Sequence, residues 1–362
     1  MAKKPNSDQS GGKSISSPDF FNKKAAGKPI PKKKKTTETY VNGILRGDRV
    51  VLGQAITLIE SKHPDHQSKA QSIIEACLPY SGKSFRIGIT GTPGVGKSSF
   101  IEALGLYLVK QQKKIAVLAI DPTSQKSHGS ILGDKTRMQD LSVHSNAFIR
   151  PSPAGDSLGG VARKTRETMI LCEAAGYEKI IVETVGVGQS ETAVHSMVDF
   201  FLLLLLPGAG DELQGIKRGI VEMSDLITIN KADGDRTITA KQSQKAYKNA
   251  LHLLPATDSG WIPPVMTSSA LEKKGIEEIW QTCMDYRTMV QKNDFFQEKR
   301  KKQARYWLHE RIQNDLRLYL QTDPTMKSAL ETIETAVLSY QKTPFQGARE
   351  ILKLLLRKNH TD

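Results

Sequence analysis

The stretch Gly91-Thr92-Pro93-Gly94-Val95-Gly96-Lys97-Ser98 decides the fold of this 362-residue chain. Its spacing is G-x-x-x-x-G-K-[ST], and it lies between an apolar run and a helical pattern with the apolar face Ile101, Leu104 and Leu108. In this order, the glycines let backbone N–H groups turn inward around phosphate oxygens, and the lysine reaches the terminal phosphates. The pattern therefore predicts a phosphate-binding loop. We expect the contacts from Gly91, Thr92, Pro93, Gly94, Val95, Gly96, Lys97, Ser98 and Ser99.

On both sides of this loop, short apolar runs alternate with longer amphipathic ones. The predicted strands are Phe85–Thr90, Lys114–Ile120, Ala147–Arg150, Lys179–Glu183, Phe200–Leu206, Leu226–Asn230 and Val265–Ser268. Strands that alternate with helices are typical of βαβ units. We therefore predict an α/β fold, a P-loop NTPase domain with a doubly wound, mostly parallel sheet. Ligands of such sheets bind beyond the carboxyl ends of the strands.

Helical patterns flank this predicted domain. Glu38–Glu60 and Pro64–Leu78 have helical spacing before it, and one long charged helix from Arg287 is expected after it. Two further helices are predicted at Ser328–Tyr340 and Pro344–Leu356. The predicted organisation is a tail over residues 1–36, a helical extension over 37–80, the nucleotide domain over 81–286 and a helical arm over 287–362.

The net charge of +14, from 52 Lys and Arg against 38 Asp and Glu, is concentrated in the tail. Residues 1–36 hold ten lysines and two aspartates, and their low apolar content predicts disorder. Few aromatic residues interleave with these lysines, so specific nucleic-acid recognition is not expected.

Other classes of protein are excluded by composition. The longest apolar run, Phe200–Leu206, has seven residues, whereas a membrane helix needs ~20. The three cysteines are about a hundred residues apart, which supports neither a disulfide framework nor a zinc site. We expect no membrane span and a cytoplasmic location, because an apolar leader segment is missing.

Three acidic residues stand where strands end or in the loops that follow. Asp121 closes the second strand, Asp134 lies in the polar loop 122–137, and Glu183 closes the fourth strand. Mg²⁺ that is bound to a nucleotide takes carboxylate and hydroxyl oxygens besides phosphate oxygens and water. Each acidic residue alone could equally cap a helix, but the phosphate loop favours a Mg²⁺ site formed by Ser98, Asp121, Asp134 and Glu183.

A second motif points to the base of the nucleotide. Asn230-Lys231-Ala232-Asp233 follows the sixth strand and has the N-K-x-D pattern. An aspartate there accepts two hydrogen bonds from guanine, whereas adenine would leave a buried carboxylate unpaired. Ser268-Ser269-Ala270, after the last strand, is placed as a second base-contacting loop. The sequence therefore favours GTP over ATP as the ligand.

Several longer blocks resemble the MeaB/MMAA family of GTPases, also named ArgK, which are chaperones of adenosylcobalamin-dependent methylmalonyl-CoA mutase. The resemblance covers about residues 40–355. The blocks are 120–124 (IDPTS), 129–138 (GSILGDKTRM), 158–166 (LGGVARKTR), 183–191 (ETVGVGQSE) and 207–217 (PGAGDELQGIK).

The resemblance implies a homodimeric GTPase that uses Mg²⁺ and acts with the mutase. It makes Lys97, Asp121, Asp134 and Glu183 the residues that serve hydrolysis, with Ser98 at the metal. Loop 122–138 resembles a first switch and 186–191 a second. The resemblance also makes Asp211, Gln214 and Lys217 the polar members of a third, mutase-responsive switch. Residues 125–128, Gln-Lys-Ser-His, depart from the usual apolar or small residues of the first switch.

Three alternatives stay open. A nickel or cobalt metallochaperone GTPase would use Cys or His ligands, which are dispersed here. A P-loop kinase would also need a phosphate loop, and a binder of nucleic acid or anionic surfaces could use the lysine tail. Arg137, Arg163 and Arg166 are interpreted as surface ion pairs, and Trp307 as a packing or dimer anchor.

Overall fold

The computed structural model describes residues 35–120, 138–151, 158–184, 190–208, 218–252 and 257–358. Contacts divide the chain into two units, residues 1–36 and residues 37–362, and the second contains the sheet and its helices. Several predicted features lie outside the described residues. These are residues 1–34 of the tail, the acidic residues Asp121 and Asp134, and the third-switch residues Asp211, Gln214 and Lys217.

The centre of the fold is a seven-stranded sheet. Its strands are β1 (Phe85–Gly91), β2 (Ile115–Ile120), β3 (Ala147–Arg150), β4 (Lys179–Thr184), β5 (Phe200–Leu205), β6 (Leu226–Ile229) and β7 (Val265–Thr267). Their order is β3-β2-β4-β1-β5-β6-β7, and all six pairs are parallel. Every residue of β1 and β5 is buried, as strands covered on both faces require. The predicted α/β fold is confirmed.

Helices cover both faces of this sheet. Among the described residues, the helices before β7 are α1 (Thr37–Leu45), α2 (Arg49–Glu60), α3 (Pro64–Cys77), α4 (Lys97–Lys110), α5 (Gln139–Val143), α6 (Leu158–Ala174), α7 (Ser190–His195), α8 (Arg218–Glu222) and α9 (Arg236–Leu251). Those after β7 are α10 (Ile276–Lys292), α11 (Phe295–Thr322), α12 (Pro324–Leu338) and α13 (Pro344–Lys358). One core packs α4 and α10 on the sheet, and the other packs α1–α3, α6 and α9.

Two helix predictions were wrong in their boundaries. Glu38–Glu60 forms two helices, because Gly47 takes a positive φ of 75° and the Asp48 carboxylate then caps α2 by accepting hydrogen bonds from two of its N–H groups. The long helix does not start at Arg287, which lies inside α10. Helix α10 ends at Lys292. Asp294 then takes a φ of 59°, and α11 starts at Phe295.

The first half of α11 is fixed to the sheet by polar contacts. The Arg300 guanidinium donates to both carboxylate oxygens of Asp199, at 2.9 and 2.7 Å. Gln303 donates to the carbonyl of Val198, and the Trp307 indole donates to the carbonyl of Ser196. These contacts hold the turn between α7 and β5, so Trp307 is a packing anchor in this chain.

The rest of α11 carries α12 and α13, which share a small core of Met326, Ile333 and Ile351. Leu308, Ile312 and Leu316 are spaced at four residues along α11 and are 59%, 48% and 44% exposed. They form one apolar stripe on the outer surface of the helix. In the described ranges, the helices are too short or too polar to cross a membrane.

Candidate functional site

The phosphate loop lies between the end of β1 and the start of α4, where the sequence predicted it. Gly94 and Gly96 have φ values of 79° and 93°, which glycine adopts at little cost. A Cβ on Gly96 would lie 2.9 Å from Nδ2 of Asn230, and one on Gly91 would lie 2.5 Å from the carbonyl oxygen of Leu204. Close packing, as well as backbone conformation, therefore requires glycine at these positions.

Lys97 is the first residue of α4 and is buried beneath the loop. Its ammonium group donates to the carbonyl of Gly91 at 2.7 Å and to the carbonyl of Thr92 at 3.2 Å. The amino end of α4 faces the same space and carries positive partial charge. The ammonium and the helix terminus together can bind the phosphates of a nucleotide.

The side chains of Ser98 and Glu183 meet beside this loop. The Ser98 hydroxyl donates to the Glu183 carboxylate at 3.1 Å, and Glu183 is only 6% exposed. The pairing of β4 with β2 places Thr184 opposite Ile120, the residue before Asp121. A hydroxyl and a carboxylate at this distance are hard oxygen donors of the kind that Mg²⁺ takes, so the residues present fit such an ion.

Asn230 links the predicted base site to the phosphate loop. Its amide Nδ2 donates to the carbonyl of Val95 at 2.9 Å. Its Oδ1 accepts from the Ser268 hydroxyl at 3.1 Å and from the Ala270 N–H at 3.4 Å. Asn230 is 1% exposed, so these bonds are shielded from water. The three segments are thus joined through one side chain.

Asp233 is oriented by the loop after β7. The Ser269 hydroxyl donates to the Asp233 carboxylate at 2.6 Å, and it accepts from the N–H of Glu272 at 3.1 Å. Lys231, which has a φ of 59°, extends toward Gly96. Its Cε lies 3.6 Å from the position of a Cβ on that glycine. The structure therefore brings both predicted base-contacting segments to the carboxyl edge of the sheet, next to the phosphate loop.

Two residues beyond the motifs support this site. The N–H of Glu272 fixes the Ser269 hydroxyl, and Gly275 approaches the Thr267 carbonyl so closely that a Cβ would lie 2.5 Å from it. Sequence reasoning missed both, although a glycine before the helical pattern of α10 was an available signal. Ser269 and Lys274 pair as an isolated antiparallel bridge, which closes this loop.

Two of the three arginines interpreted as ion pairs lie in the described residues, and both pair with glutamates. Arg163 pairs with Glu167 at 3.7 Å, and Arg166 pairs with Glu310 of α11 at 2.7 Å. The prediction of a surface pair was wrong for Arg166, which is 9% exposed and stacks on the Trp307 ring. Burial raises the pKa of Glu167, although Arg163 and neighbouring cations oppose that rise. Arg137 lies outside the described residues.

Comparison with known proteins places these features in a family. Residues 52–325 match the family described as methylmalonyl Co-A mutase-associated GTPase MeaB. A protein of Caulobacter vibrioides is 50% identical over 294 residues, which cover 81% of this chain and 90% of that protein. GTPase ArgK of Escherichia coli is 44% identical over 315 residues, which cover 87% of this chain and 95% of that protein.

A mouse protein and a crystal structure extend this comparison. The methylmalonic aciduria type A homolog of Mus musculus, a mitochondrial protein, is 43% identical over 332 residues, with 89% of this chain and 80% of that protein covered. The crystal structure of a LAO/AO transport system kinase superposes with a TM-score of 0.71 at 38% identity. It covers 88% of this chain and 97% of that chain.

Proposed function

This chain belongs to the MeaB family of methylmalonyl-CoA mutase-associated GTPases, and from that premise we propose that it is a Mg²⁺-dependent switch for a cobalamin-dependent acyl-CoA mutase. The chain is a GTPase. In the proposal, it gates the loading of adenosylcobalamin into the mutase and protects or reactivates the mutase. Within the described residues, no contact favours the metallochaperone or the kinase alternative.

The observation that carries the nucleotide assignment is the Asn230 bridge. It holds the N-K-A-D segment, the phosphate loop and the 268–270 loop in one arrangement, with bonds of 2.9, 3.1 and 3.4 Å. The Asp233 carboxylate is already fixed by Ser269. A preorganised carboxylate supports guanine over adenine, since adenine lacks the donor pair that would satisfy it.

For hydrolysis, we propose an in-line attack of water on the γ-phosphate. Positioning and charge stabilisation supply most of the acceleration in such reactions. In this proposal, Lys97 binds the terminal phosphates, and Ser98 and Glu183 hold the metal with Asp121 and Asp134. A metal ion bound there offsets negative charge on the phosphate oxygens. In this proposal, the γ-phosphate orders loops 122–138 and 186–191, and its loss on hydrolysis releases them, as in other nucleotide switches.

We assign the mutase as partner through the family, with Asp211, Gln214 and Lys217 as the residues that respond to it. The C-terminal arm, residues 287–362, is the proposed dimerisation element. Leu308, Ile312 and Leu316 support this proposal, because an exposed apolar stripe at helical spacing suits burial against a second copy. We expect the isolated chain to hydrolyse GTP slowly until its partner completes the site.

The deciding experiment measures phosphate release from GTP with and without the methylmalonyl-CoA mutase of the same organism. We expect at least a ~10-fold acceleration by the mutase, as for other switches completed by a partner. Heat-inactivated mutase is the control. Unchanged turnover with active mutase would contradict the switch role.

Product analysis and one variant separate the alternatives. With GTP labelled at the γ-phosphate, the label should appear in inorganic phosphate. Label transferred to a protein or a small acceptor would instead indicate a kinase. Stoichiometric, tight nickel or cobalt binding would indicate a metallochaperone. Ser98→Ala should lower Mg²⁺-dependent hydrolysis at least ~10-fold, because it removes a proposed metal ligand. Ser72→Ala, at an exposed position of α3, is the matched control.

A further inference from the structure

Helix α9 presents an unusual charge pattern on its outer surface. Its sixteen residues, Arg236–Leu251, include four basic residues and no acidic one. Lys241, Lys245 and Lys248 are all exposed and are spaced at four and three residues. Side chains at this spacing lie on one side of a helix. They form a single row, which we call the lysine row.

The lysine row is not balanced by acidic side chains of the described residues. Within the described part of the chain, none of the three lysines forms an ion pair with a carboxylate. Lys113, by contrast, pairs with Glu178 at 3.3 Å. An uncompensated row of like charges repels itself and attracts anionic groups. The row is therefore a candidate contact surface.

A groove of about 460 Å³ runs beside the lysine row. Its far wall is the segment that enters β7, where Ile262 is 79% exposed and Pro263 and Pro264 follow. The Gln244 amide donates to the carbonyl of Val265 at 2.7 Å, and this bond joins the two walls. None of the lining residues that the structure describes is acidic.

Exposed apolar side chains lie next to the row. Ile238, one turn before Lys241 on the same side of α9, is 71% exposed, and Ile262 stands on the opposite wall of the groove. A row of cations with apolar side chains beside it suits a protein segment that carries both acidic and apolar side chains. The described lining residues include no Phe, Tyr or Trp, so they offer bases no ring to stack on. A flat membrane surface would not enter the groove.

The buried side of α9 connects this surface to the nucleotide site. The helix starts three residues after Asp233, and the N–H of Arg236 donates to the Asp233 carbonyl at 3.1 Å. The Ser243 hydroxyl accepts from the N–H of Gly208, just beyond β5, at 3.0 Å. A partner bound to the outer side of α9 would therefore contact a helix that adjoins the base-contacting segment 230–233.

We propose that the lysine row and its groove bind an acidic segment of the partner protein. This inference rests on the proposed function in one respect, since it takes the partner to be the mutase. Electrostatic complementarity of this kind steers association and makes it depend on salt. The isoleucines add apolar contact that salt does not screen.

The test is the affinity of purified cognate mutase for three forms of the full-length chain, measured at 50 and 300 mM NaCl. The forms are the wild type, K241E/K245E/K248E and the control K83E/K110E/K292E, which reverses three exposed lysines on other elements. We expect the lysine-row variant to weaken binding roughly 10- to 100-fold at low salt and to lose most of the salt dependence. The control should stay within about 3-fold of the wild type.

Further variants keep the test decisive. K241Q/K245Q/K248Q should weaken binding less than the glutamate variant, and K241R/K245R/K248R should bind normally. Ile262→Ser should weaken binding without changing its salt dependence. GTP hydrolysis without mutase should be unchanged in all lysine-row variants, which shows that they fold.

Equal mutase binding by the lysine-row variant and its control would overturn the inference and leave the proposed function intact. An absence of binding by the wild-type chain would refute the proposed function and, with it, this partner. If the lysine-row variant lost binding to phosphatidylserine vesicles or duplex DNA but kept its affinity for the mutase, the choice of a protein partner would be wrong.

Discussion

Replacing Asn230 by alanine should weaken the nucleotide site and the fold together. The side chain makes three hydrogen bonds, to the carbonyl of Val95 and from Ser268 and Ala270, and it is 1% exposed. Each buried bond contributes about 1 kcal/mol net, and an orphaned carbonyl adds about 1–3 kcal/mol. We expect Asn230→Ala to lower the free energy of unfolding by about 4–6 kcal/mol.

The same substitution should raise the dissociation constants of GTP and GDP at least ~10-fold. The site loops would lose their shared anchor, and a loss of about 1.4 kcal/mol of binding free energy corresponds to a factor of ten. Urea unfolding and titration of a fluorescent guanine nucleotide measure the two effects. Ser268→Ala is the matched control, because it removes one of the three bonds and should cost about 1 kcal/mol.

Asn230→Asp tests whether the hydrogen bonds of the side chain matter more than its size. It keeps the size of the side chain but places a carboxylate oxygen against the Val95 carbonyl, 2.9 Å from the replaced nitrogen. A buried, unpaired charge costs more than a missing bond, so this variant should be worse than alanine. The bridge would be refuted if Asn230→Ala kept nucleotide affinity within twofold and unfolding free energy within about 0.5 kcal/mol, which is the range of neutral surface substitutions.

Three further outcomes are expected. Gly96→Ala should abolish measurable GTP binding, because its Cβ would meet Asn230 Nδ2 at 2.9 Å; Gly260→Ala, with a φ of 73° and open space around it, should bind normally, and equal affinities would contradict the steric argument. Arg300→Met should cost about 3–5 kcal/mol in urea unfolding, since it leaves the buried Asp199 carboxylate without its cation, and Asp199→Asn/Arg300→Met should recover part of that loss; a double variant no more stable than the single one would refute this. Burial, with a smaller effect from Lys299, lowers the pKa of His195 to about 4, so between pH 6.5 and 4 the unfolded chain binds a proton that the folded chain does not. As the pH is lowered from 6.5 to 4, the free energy of unfolding of the wild type should therefore fall by up to about 1.4 kcal/mol per pH unit more than that of His195→Asn. Parallel curves of unfolding free energy against pH would contradict this assignment.

Much of the fold could be predicted because its determinants are local. The glycine spacing before Lys97 and the alternation of apolar runs with amphipathic ones fix a βαβ order without any knowledge of packing. Phe200–Leu206 was predicted as a strand from its apolar run alone, and β5 forms there with every residue buried. Boundaries were less predictable, since the break at Asp294 depends on a single residue with a φ of 59° inside an otherwise continuous helical pattern.

The sequence by itself determined the fold class, the phosphate loop and the base-reading segment, because each depends on residues close together along the chain. Only the tertiary structure decided that Asn230 contacts Val95, 135 residues earlier, and that Arg166 is buried between Trp307 and Glu310. Such contacts arise where strand ends meet at one edge of the sheet or where two helices cross. Periodicity along a chain carries no information on these distances.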